Sequence, residues 1–469
     1  YMKELAKENG CALWDMQAAM GGEGAVARWW DAGLMNHDLV HPLGLGGDVL
    51  GYLFESALER ARQAHVRRRG RAPAEKAATR APGVTHPAPR SPASLPDTPE
   101  TPLENVDALQ GFFEKLKTLE TLNSGRVAVA QLGASHTAAQ FFTDEARRLL
   151  AARFGGAGRG FIAAGKSSPR LDASGVKREL IGSWKVSDAI EQRTSGLAWG
   201  LTGIRAVGAP DAELRVSFTE PHGSVDDTAH LQLHYWQAPD APPPEVIIDD
   251  VEVPLTPGLP GARVIDFAAP GPSHEISVIN PGPGALPVYG VSQELMRPGI
   301  VYDALGLPGA TAAVFASYDQ EALAVQLHAR QPDLFVFFFG TNESALPPAR
   351  VDEMRAAYVQ IFATLHRVNP EAACLVLAPT DRMEVRKRVW HEASSINQVI
   401  DAMREIAREN RCAFWDTRAF MGGKGAIDVW RRHELAMRDR VHLTPAGYRK
   451  TAEAFIGELL RAYDAWRGP

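Results

Sequence analysis

Four short stretches of this chain carry the residue types of acyl transfer: Ser135 in "GASHT", Gly309 in "LGLPGATA", Asn342 in "GTNES", and Asp439 with His442 in "RDRVHLTPAGY". A serine hydroxyl is a weak nucleophile and needs a base, for which His442 is the candidate. Asp439 stands three residues earlier. In a tight turn its carboxylate reaches one ring nitrogen and leaves the other facing the serine, which fixes the tautomer and stabilises the imidazolium. The tetrahedral intermediate also needs donors for its oxyanion. The side-chain amide of Asn342 and the backbone N–H of Gly309, which no side chain shields, are the candidates. His136, beside the serine, is expected to pack or hydrogen-bond rather than act as a second base. Asp381 in "APTDR" is either a site-lining carboxylate or a turn or helix-cap residue.

These side chains need a scaffold that gathers them. Ser135 follows the apolar run Val127–Leu132 and precedes an amphipathic segment, the pattern of a buried parallel strand feeding a crossover helix. A helix start there presents free N–H groups and a positive dipole end to developing negative charge. The alternation returns in "DLFVFFF" before Asn342, in "ACLVLAPTD" and in "CAFWD", each joined to a helical pattern. It predicts an α/β sheet covered on both faces, with the site at the carboxyl ends of the strands. Thr444 and Pro445 are the expected N-cap and first residue of a final helix. Between Gly158 and Glu294 short alternating stretches such as "ELRVSFTE" and "HLQLHYWQA", separated by Pro and Gly, predict an inserted antiparallel β-sandwich. Trp184, Trp199, Tyr235 and Trp236 would suit a sugar-stacking platform, but sandwich cores also need aromatics, and core is the expectation for most of them.

The blocks "GASHT", "LGLPGA", "GTNE" and "DRVH", in that order, resemble the four signature blocks of the SGNH (GDSL) esterase and acylhydrolase superfamily, over roughly residues 104 to 469. The inserted β domain and the return segment "YGVSQELMRPGIVYDALG" are similar to the peptidoglycan O-acetylesterase group, whose insert resembles a carbohydrate-binding module. The resemblance implies an α/β fold, a three-layer α/β/α sandwich of flavodoxin-like type. It implies Ser135 as nucleophile, His442 as base, Asp439 as its orienter, and Gly309 and Asn342 as oxyanion donors with the Ser135 amide. Two positions depart from the pattern: the family's Asp beside the nucleophile is Ala134 here, and the Asn before the second-block glycine is Pro308. Neither is a triad member. Both could loosen the loops that aim the site, where an error near 1 Å can cost about 10²-fold in rate.

The chain also repeats itself. "KENGCALWDMQAAMGGEGAV" aligns without a gap on "RENRCAFWDTRAFMGGKGAI", and Asp38 and His41 correspond to Asp439 and His442 at a constant shift, 439 − 38 = 442 − 41 = 401. The expected organisation follows. Residues 1–62 are the C-terminal remnant of an upstream SGNH-like copy, 63–103 a disordered Pro/Ala/Arg-rich linker, 104–157 with 295–469 the hydrolase domain, and 158–294 the insert. In the linker Arg67, Arg68, Arg69 and Arg71 are read as solvated.

Composition narrows the rest. With 45% hydrophobic and 23% charged residues and a net charge of −6, the 469 residues are ordinary globular sequence with no electrostatic reason to expect nucleic acid. Cys11, Cys374 and Cys412 make neither a disulfide framework nor a metal cluster, and no cofactor or metal is expected. No apolar run is long enough for a membrane helix, and no signal peptide is present in the sequence. The expected function is a serine esterase that removes O-acetyl groups from a polysaccharide, peptidoglycan first, working outside the cytoplasm in the periplasm or as a secreted protein. The alternatives are an acylhydrolase for lipids or other carbohydrate esters, and a catalytically degenerate carbohydrate-binding protein. The oligomeric state, the acyl group and the glycan are not legible.

Overall fold

In the computed structural model the chain falls into two compact units, Tyr1–Ser91 and Pro92–Pro469. Residues 98–166, 175–192, 198–220, 223–345, 350–387 and 389–468 are described, with 11–22, 24–31 and a few single positions among the first 61. Asp38, His41, and the expected linker with its arginines as far as residue 97 lie outside the described residues.

In the second unit five parallel strands form the central sheet: β1 (Arg126–Gly133), β2 (Gly299–Gly306), β3 (Leu334–Phe338), β4 (Ala373–Leu377) and β5 (Ala413–Trp415). Their order is β2-β1-β3-β4-β5, the flavodoxin-like arrangement. The helices around the sheet are α1 (Gln110–Leu122), α2 (Ser135–Ala138), α3 (Phe141–Phe154), α4 (Ala312–Ala316), α5 (Gln320–Arg330), α6 (Val351–Val368), α7 (Ile396–Glu409) and α8 (Pro445–Arg467). Alternate strand residues feed two separate cores. Ala130, Leu132, Phe335 and Phe337 pack with α5, α6 and α7, whereas Val127, Val129, Val336 and Phe338 pack with α1, α3 and α8. The period of two along each strand thus produces the expected three layers.

Two antiparallel sheets interrupt this unit between β1 and β2. In one, the strands Gly261–Pro270, Thr228–Gln237, Leu286–Leu295, Ile204–Gly208 and Trp184–Asp188 are neighbours in that order, and Gly160–Ala163 also pairs with Leu286–Leu295. In the other, Val176–Ile181, Glu213–Phe218, Glu275–Ile279, Glu245–Ile248 and Val251–Val253 are neighbours. Leu214, Val216, Phe218, Leu231, Leu233 and Val278 fill the space between them. Trp199 and Tyr235 are buried, and Trp184 and Trp236 are half-buried against apolar clusters, so all four serve packing. The sandwich is also not packed apart from the hydrolase sheet. Trp199, Leu201 and Ile204 share a core with Phe315, Leu323 and Phe335.

A buried ionic cluster ties the two parts together. Arg330 on α5, 1% exposed, meets Asp303 of β2 at 2.9 Å and Glu294 of the sandwich at 2.5 Å, and it donates to Gln232 and Ser292 at 2.8 and 2.9 Å. Burial alone would raise both carboxyls. The Arg330 charge, with Arg126 beside Glu294, instead holds them below the usual range.

His234 lies in the same region, fully buried with its ring edge-on to Phe161 at 5.0 Å between centroids. Burial and the nearby Arg330 charge push its pKa down to about 3. An unfolded chain takes up a proton near pH 6.5 that the folded chain refuses, so stability falls as pH drops below that value. The slope is about 1.4 kcal/mol per pH unit for such a histidine. His234→Phe is expected to recover about 2 kcal/mol of the stability lost between pH 7 and pH 5, measured by urea unfolding at both values. An unchanged pH dependence would refute this.

Two sequence expectations need correction, and a third is decided between its alternatives. Residues 98–103, assigned to the disordered linker, include a packed stretch: Thr101 and Leu103 are buried, and the Thr101 carbonyl accepts the Trp415 indole N–H at 2.8 Å. Cys374 and Cys412 form a disulfide. Asp381 does not open to the site but serves the first turn of the helix Ala426–Arg432, which is the helix-cap alternative. It is buried, accepting from Arg418 Nε at 2.8 Å and from the Ile427 amide at 3.0 Å.

The described part of the first unit keeps the local bonds of its repeat. Asp15 accepts from the Ala18 amide at the start of the helix Met16–Ala19, and the Trp29 indole donates to the Met20 carbonyl at 2.9 Å. Asp416, Ala419, Trp430 and Met421 make the same two bonds at the constant shift, 416 − 15 = 430 − 29 = 401.

Candidate active site

The parallel register brings the first three sequence blocks to one edge. Gly133 pairs with Gly306 on one side and with Phe338 on the other, so Ser135, Gly309 and Asn342 all follow within four residues of the same row. Glycine at Gly306 is a packing requirement: a Cβ there would lie 2.5 Å from the Ala138 amide, so only glycine lets α2 sit against the strand end. Helix α2 is a single turn, because Gln140 takes a left-handed conformation, φ 60°, before α3 begins. Ser135 opens this turn as expected, and with so short a helix its free amides contribute more than any dipole.

His442 arrives from the far end of the chain. Its Nε2 lies 2.9 Å from Ser135 Oγ, and its Nδ1 lies 2.7 Å from Asp439 Oδ2. The other carboxylate oxygen, Oδ1, accepts from the backbone amides of Val441 and His442, each at 3.0 Å. That turn is the tight one the three-residue spacing anticipated. Partial burial would raise the Asp439 pKa, but the hydrogen bonds from His442 and from the two amides hold it below the usual carboxylate range. An ionised Asp439 fixes the proton of His442 on Nδ1 and leaves Nε2 as acceptor for the serine. The structure therefore brings Ser135, His442 and Asp439 into one hydrogen-bonded chain.

Residues outside the sequence reading hold the turn. Arg440, in a left-handed conformation with φ 53°, donates to Asp428 at 2.7 Å and lies over the Trp390 ring, 4.2 Å from its centroid. Trp390 belongs to a two-stranded hairpin, Met383–Arg386 with Val389–Glu392, and the Met383 amide donates to the Arg440 carbonyl at 3.0 Å. On the other side Thr444 caps α8, accepting from the Gly447 amide at 3.2 Å, with Pro445 as its first residue. His136 is buried, 2.9 Å from the Tyr448 hydroxyl. Burial, and to a lesser degree the charge on His442, push its pKa down to about 3. A histidine held neutral and bonded in this way packs, as its neighbourhood in the sequence suggested.

Gly309 and Asn342 border a common cavity of about 380 Å³, together with Ala189 of the sandwich and Met354 of α6. Gly309 has φ +84°, a conformation that L side chains rarely adopt. Asn342 donates one amide hydrogen to the Ala310 carbonyl at 2.7 Å, which fixes its rotamer and leaves a second hydrogen to donate. Ala134 is buried beside the serine, and the Ser135–His442 contact forms with alanine at that position. Sequence reasoning missed Glu343. Its carboxylate is 4% exposed and accepts from the Ala312 amide at 2.8 Å and the Gly340 amide at 2.9 Å. Burial pushes its pKa up against the effect of those donors.

An α/β/α sheet with a serine, a histidine and an aspartate in contact at its carboxyl edge has the architecture of an SGNH hydrolase. Residues 278–450 match the profile of the GDSL-like Lipase/Acylhydrolase family. The match contains Gly309, Asn342, Asp439 and His442, whereas Ser135 lies upstream of the insertion. Among solved structures, a peptidoglycan O-acetylesterase superposes with a TM-score of 0.66 at 20% identity, over 75% of this chain and 96% of that one. At that identity the likeness is one of fold. An acetyl xylan esterase is 20% identical with a TM-score of 0.25, covering 34% of this chain and 79% of its own. A family two carbohydrate esterase from Clostridium thermocellum, an active-site mutant, is 10% identical with a TM-score of 0.28, over 57% and 98%. These two similarities are too partial to bear on this chain. No curated protein matches it by sequence.

Proposed function

We propose that this chain removes O-acetyl groups from a polysaccharide, with peptidoglycan as the first substrate to test, through an acyl-enzyme on Ser135. The observation that carries the reading is the unbroken chain from Ser135 Oγ through His442 to Asp439, at 2.9 and 2.7 Å. The Ser135 hydroxyl attacks the acetyl carbonyl carbon while its proton passes to His442 Nε2. Asp439 stabilises the imidazolium, and Gly309, Asn342 and the Ser135 amide donate to the oxyanion. The bond from the acyl carbon to the sugar oxygen then breaks, and that oxygen takes the proton from His442. Water, deprotonated by the same histidine, attacks the acyl-enzyme. Acetate leaves as Ser135 regains its proton.

The peptidoglycan choice is supported by a shared fold with an enzyme named for that substrate, at 20% identity. Work outside the cytoplasm follows from that substrate, and the disulfide Cys374–Cys412 agrees with an oxidising compartment. Among the described residues no helix is long and apolar enough to cross a membrane. The degenerate reading rested on Ala134, Pro308 and the partial repeat, and the formed Ser135–His442 contact weighs against it.

The substrate class is tested by comparing kcat/KM on O-acetylated peptidoglycan, acetylated xylan and long-chain p-nitrophenyl esters. A preference for peptidoglycan is expected, and a preference for long-chain esters would favour the lipid acylhydrolase alternative. Asn342→Ala is expected to lower kcat by about 10²–10³-fold with little change in KM, since the lost donor serves the transition state. A rise in KM with kcat unchanged would exclude that role.

A further inference from the structure

We propose that Glu343 is the positioning residue of the oxyanion site, a role that rests on the serine-esterase reading above. Each of its two carboxylate oxygens accepts a backbone N–H from a different loop. Oε1 takes the Ala312 amide, three residues after Gly309, at 2.8 Å. Oε2 takes the Gly340 amide, two residues before Asn342, at 2.9 Å. One buried side chain thereby joins the loop that carries Gly309 to the loop that carries Asn342. The Asn342 side chain adds a second tie by donating to the Ala310 carbonyl at 2.7 Å.

The chemistry of the two donors explains why a carboxylate is needed. Ala312 is the first residue of α4, whose opening amides have no partner inside the helix. Thr311 caps that helix at the Val314 amide and leaves Ala312 to another acceptor. Gly340 ends the strand side of the Asn342 loop. Two backbone donors converge on one buried point, and a carboxylate supplies an acceptor for each, whereas an amide side chain supplies one acceptor and one donor. The serine itself is not touched by Glu343. Its effect on rate runs through the distance between two donors that must reach the same oxygen, and a shift near 1 Å at such a site can cost about 10²-fold.

The test is steady-state kinetics of Glu343→Gln in the whole chain on p-nitrophenyl acetate, alone and combined with Asn342→Ala. Glutamine keeps the shape but turns one acceptor into a donor facing an N–H. The expected result is a kcat lower by about 30- to 100-fold with KM within about threefold. In the Asn342→Ala background the same substitution is expected to cost at least threefold less, because one of the donors it aligns is gone. Glu343→Asp, which keeps both acceptors on a shorter stem, is expected to retain more kcat than glutamine does. A Glu343→Gln enzyme with kcat within about threefold of the parent, or a loss of the same factor in both backgrounds, would overturn the positioning role. Parent turnover with an insensitive Glu343 removes this inference alone. An inert parent that no fluorophosphonate labels at Ser135 removes the esterase reading with it.

Discussion

Ser135→Ala is expected to lower kcat on p-nitrophenyl acetate by roughly 10⁴–10⁶-fold, since removing the nucleophile of a serine triad has costs of that order. The structure gives reason to expect that the change is confined to chemistry. The hydroxyl faces His442, and the removed atom leaves no buried donor unmatched, because His442 and Asp439 are both partly exposed and open to water. Thermal stability should therefore stay within about 0.5 kcal/mol of the parent, as for other changes away from buried networks. His442→Ala should cost a similar factor, and the double variant no more than either single one, because the two residues act as a unit. Asp439→Asn should also be severe, since an amide in place of the carboxylate can stabilise the wrong His442 tautomer. Residual activity above about 1% in Ser135→Ala would show that another group carries the reaction.

The second large effect falls on stability. Arg330→Ala is expected to destabilise the second unit by about 3–5 kcal/mol in urea unfolding, the range for breaking a buried ion pair by removing one partner. The reason is what remains. Asp303 is 2% exposed, and both it and Glu294 would be left with much of their compensating charge removed. Gln232 and Ser292 would also lose a hydrogen-bond donor. The pH dependence separates this cause from simple loss of packing. In the parent the two carboxyls are held below their unfolded values near 4, so the cluster stabilises above about pH 4 and is lost as pH falls through the depressed folded values. Without Arg330 the buried carboxyls are raised instead, so the deficit of the variant should shrink as the medium is acidified toward pH 5. A deficit that is the same at pH 5 and pH 8 would assign the effect to packing. The cluster joins α5, β2 and the sandwich, so its loss should loosen the cavity wall at Ala189 as well.

How much of this was legible beforehand depends on whether the information is local. The Asp439–His442 turn and the Thr444–Pro445 helix start are written in consecutive residues, and both form as the spacing indicated. The strands that lead to Ser135 and Asn342 are apolar runs broken only by Gln131, and their parallel pairing follows from the α/β alternation. Glu343 sat in plain view within "GTNES", but its two partners, Ala312 and Gly340, are visible only once two strand ends are neighbours. Arg330 lies on a helix whose exposed face would equally suit an arginine, and nothing near it in the chain announces Asp303 or Glu294. The Cys374–Cys412 pairing was hidden for the same reason, since the two residues meet only because β4 and β5 are adjacent. Asp381 was ambiguous in sequence because a carboxylate after a strand can serve a site or a backbone. Its bond to the Ile427 amide decides for the backbone, and the Arg418 side chain pairs with the same carboxylate.

Acetate release from O-acetylated peptidoglycan, followed by the intact chain and by its Ser135→Ala variant at equal concentration, tests the proposed deacetylation most directly. We expect steady release by the parent, none above the uncatalysed rate by the variant, and covalent fluorophosphonate labelling of the parent alone. Equal release by both proteins, or a parent that neither releases acetate nor takes the label, would contradict a Ser135 acyl-enzyme.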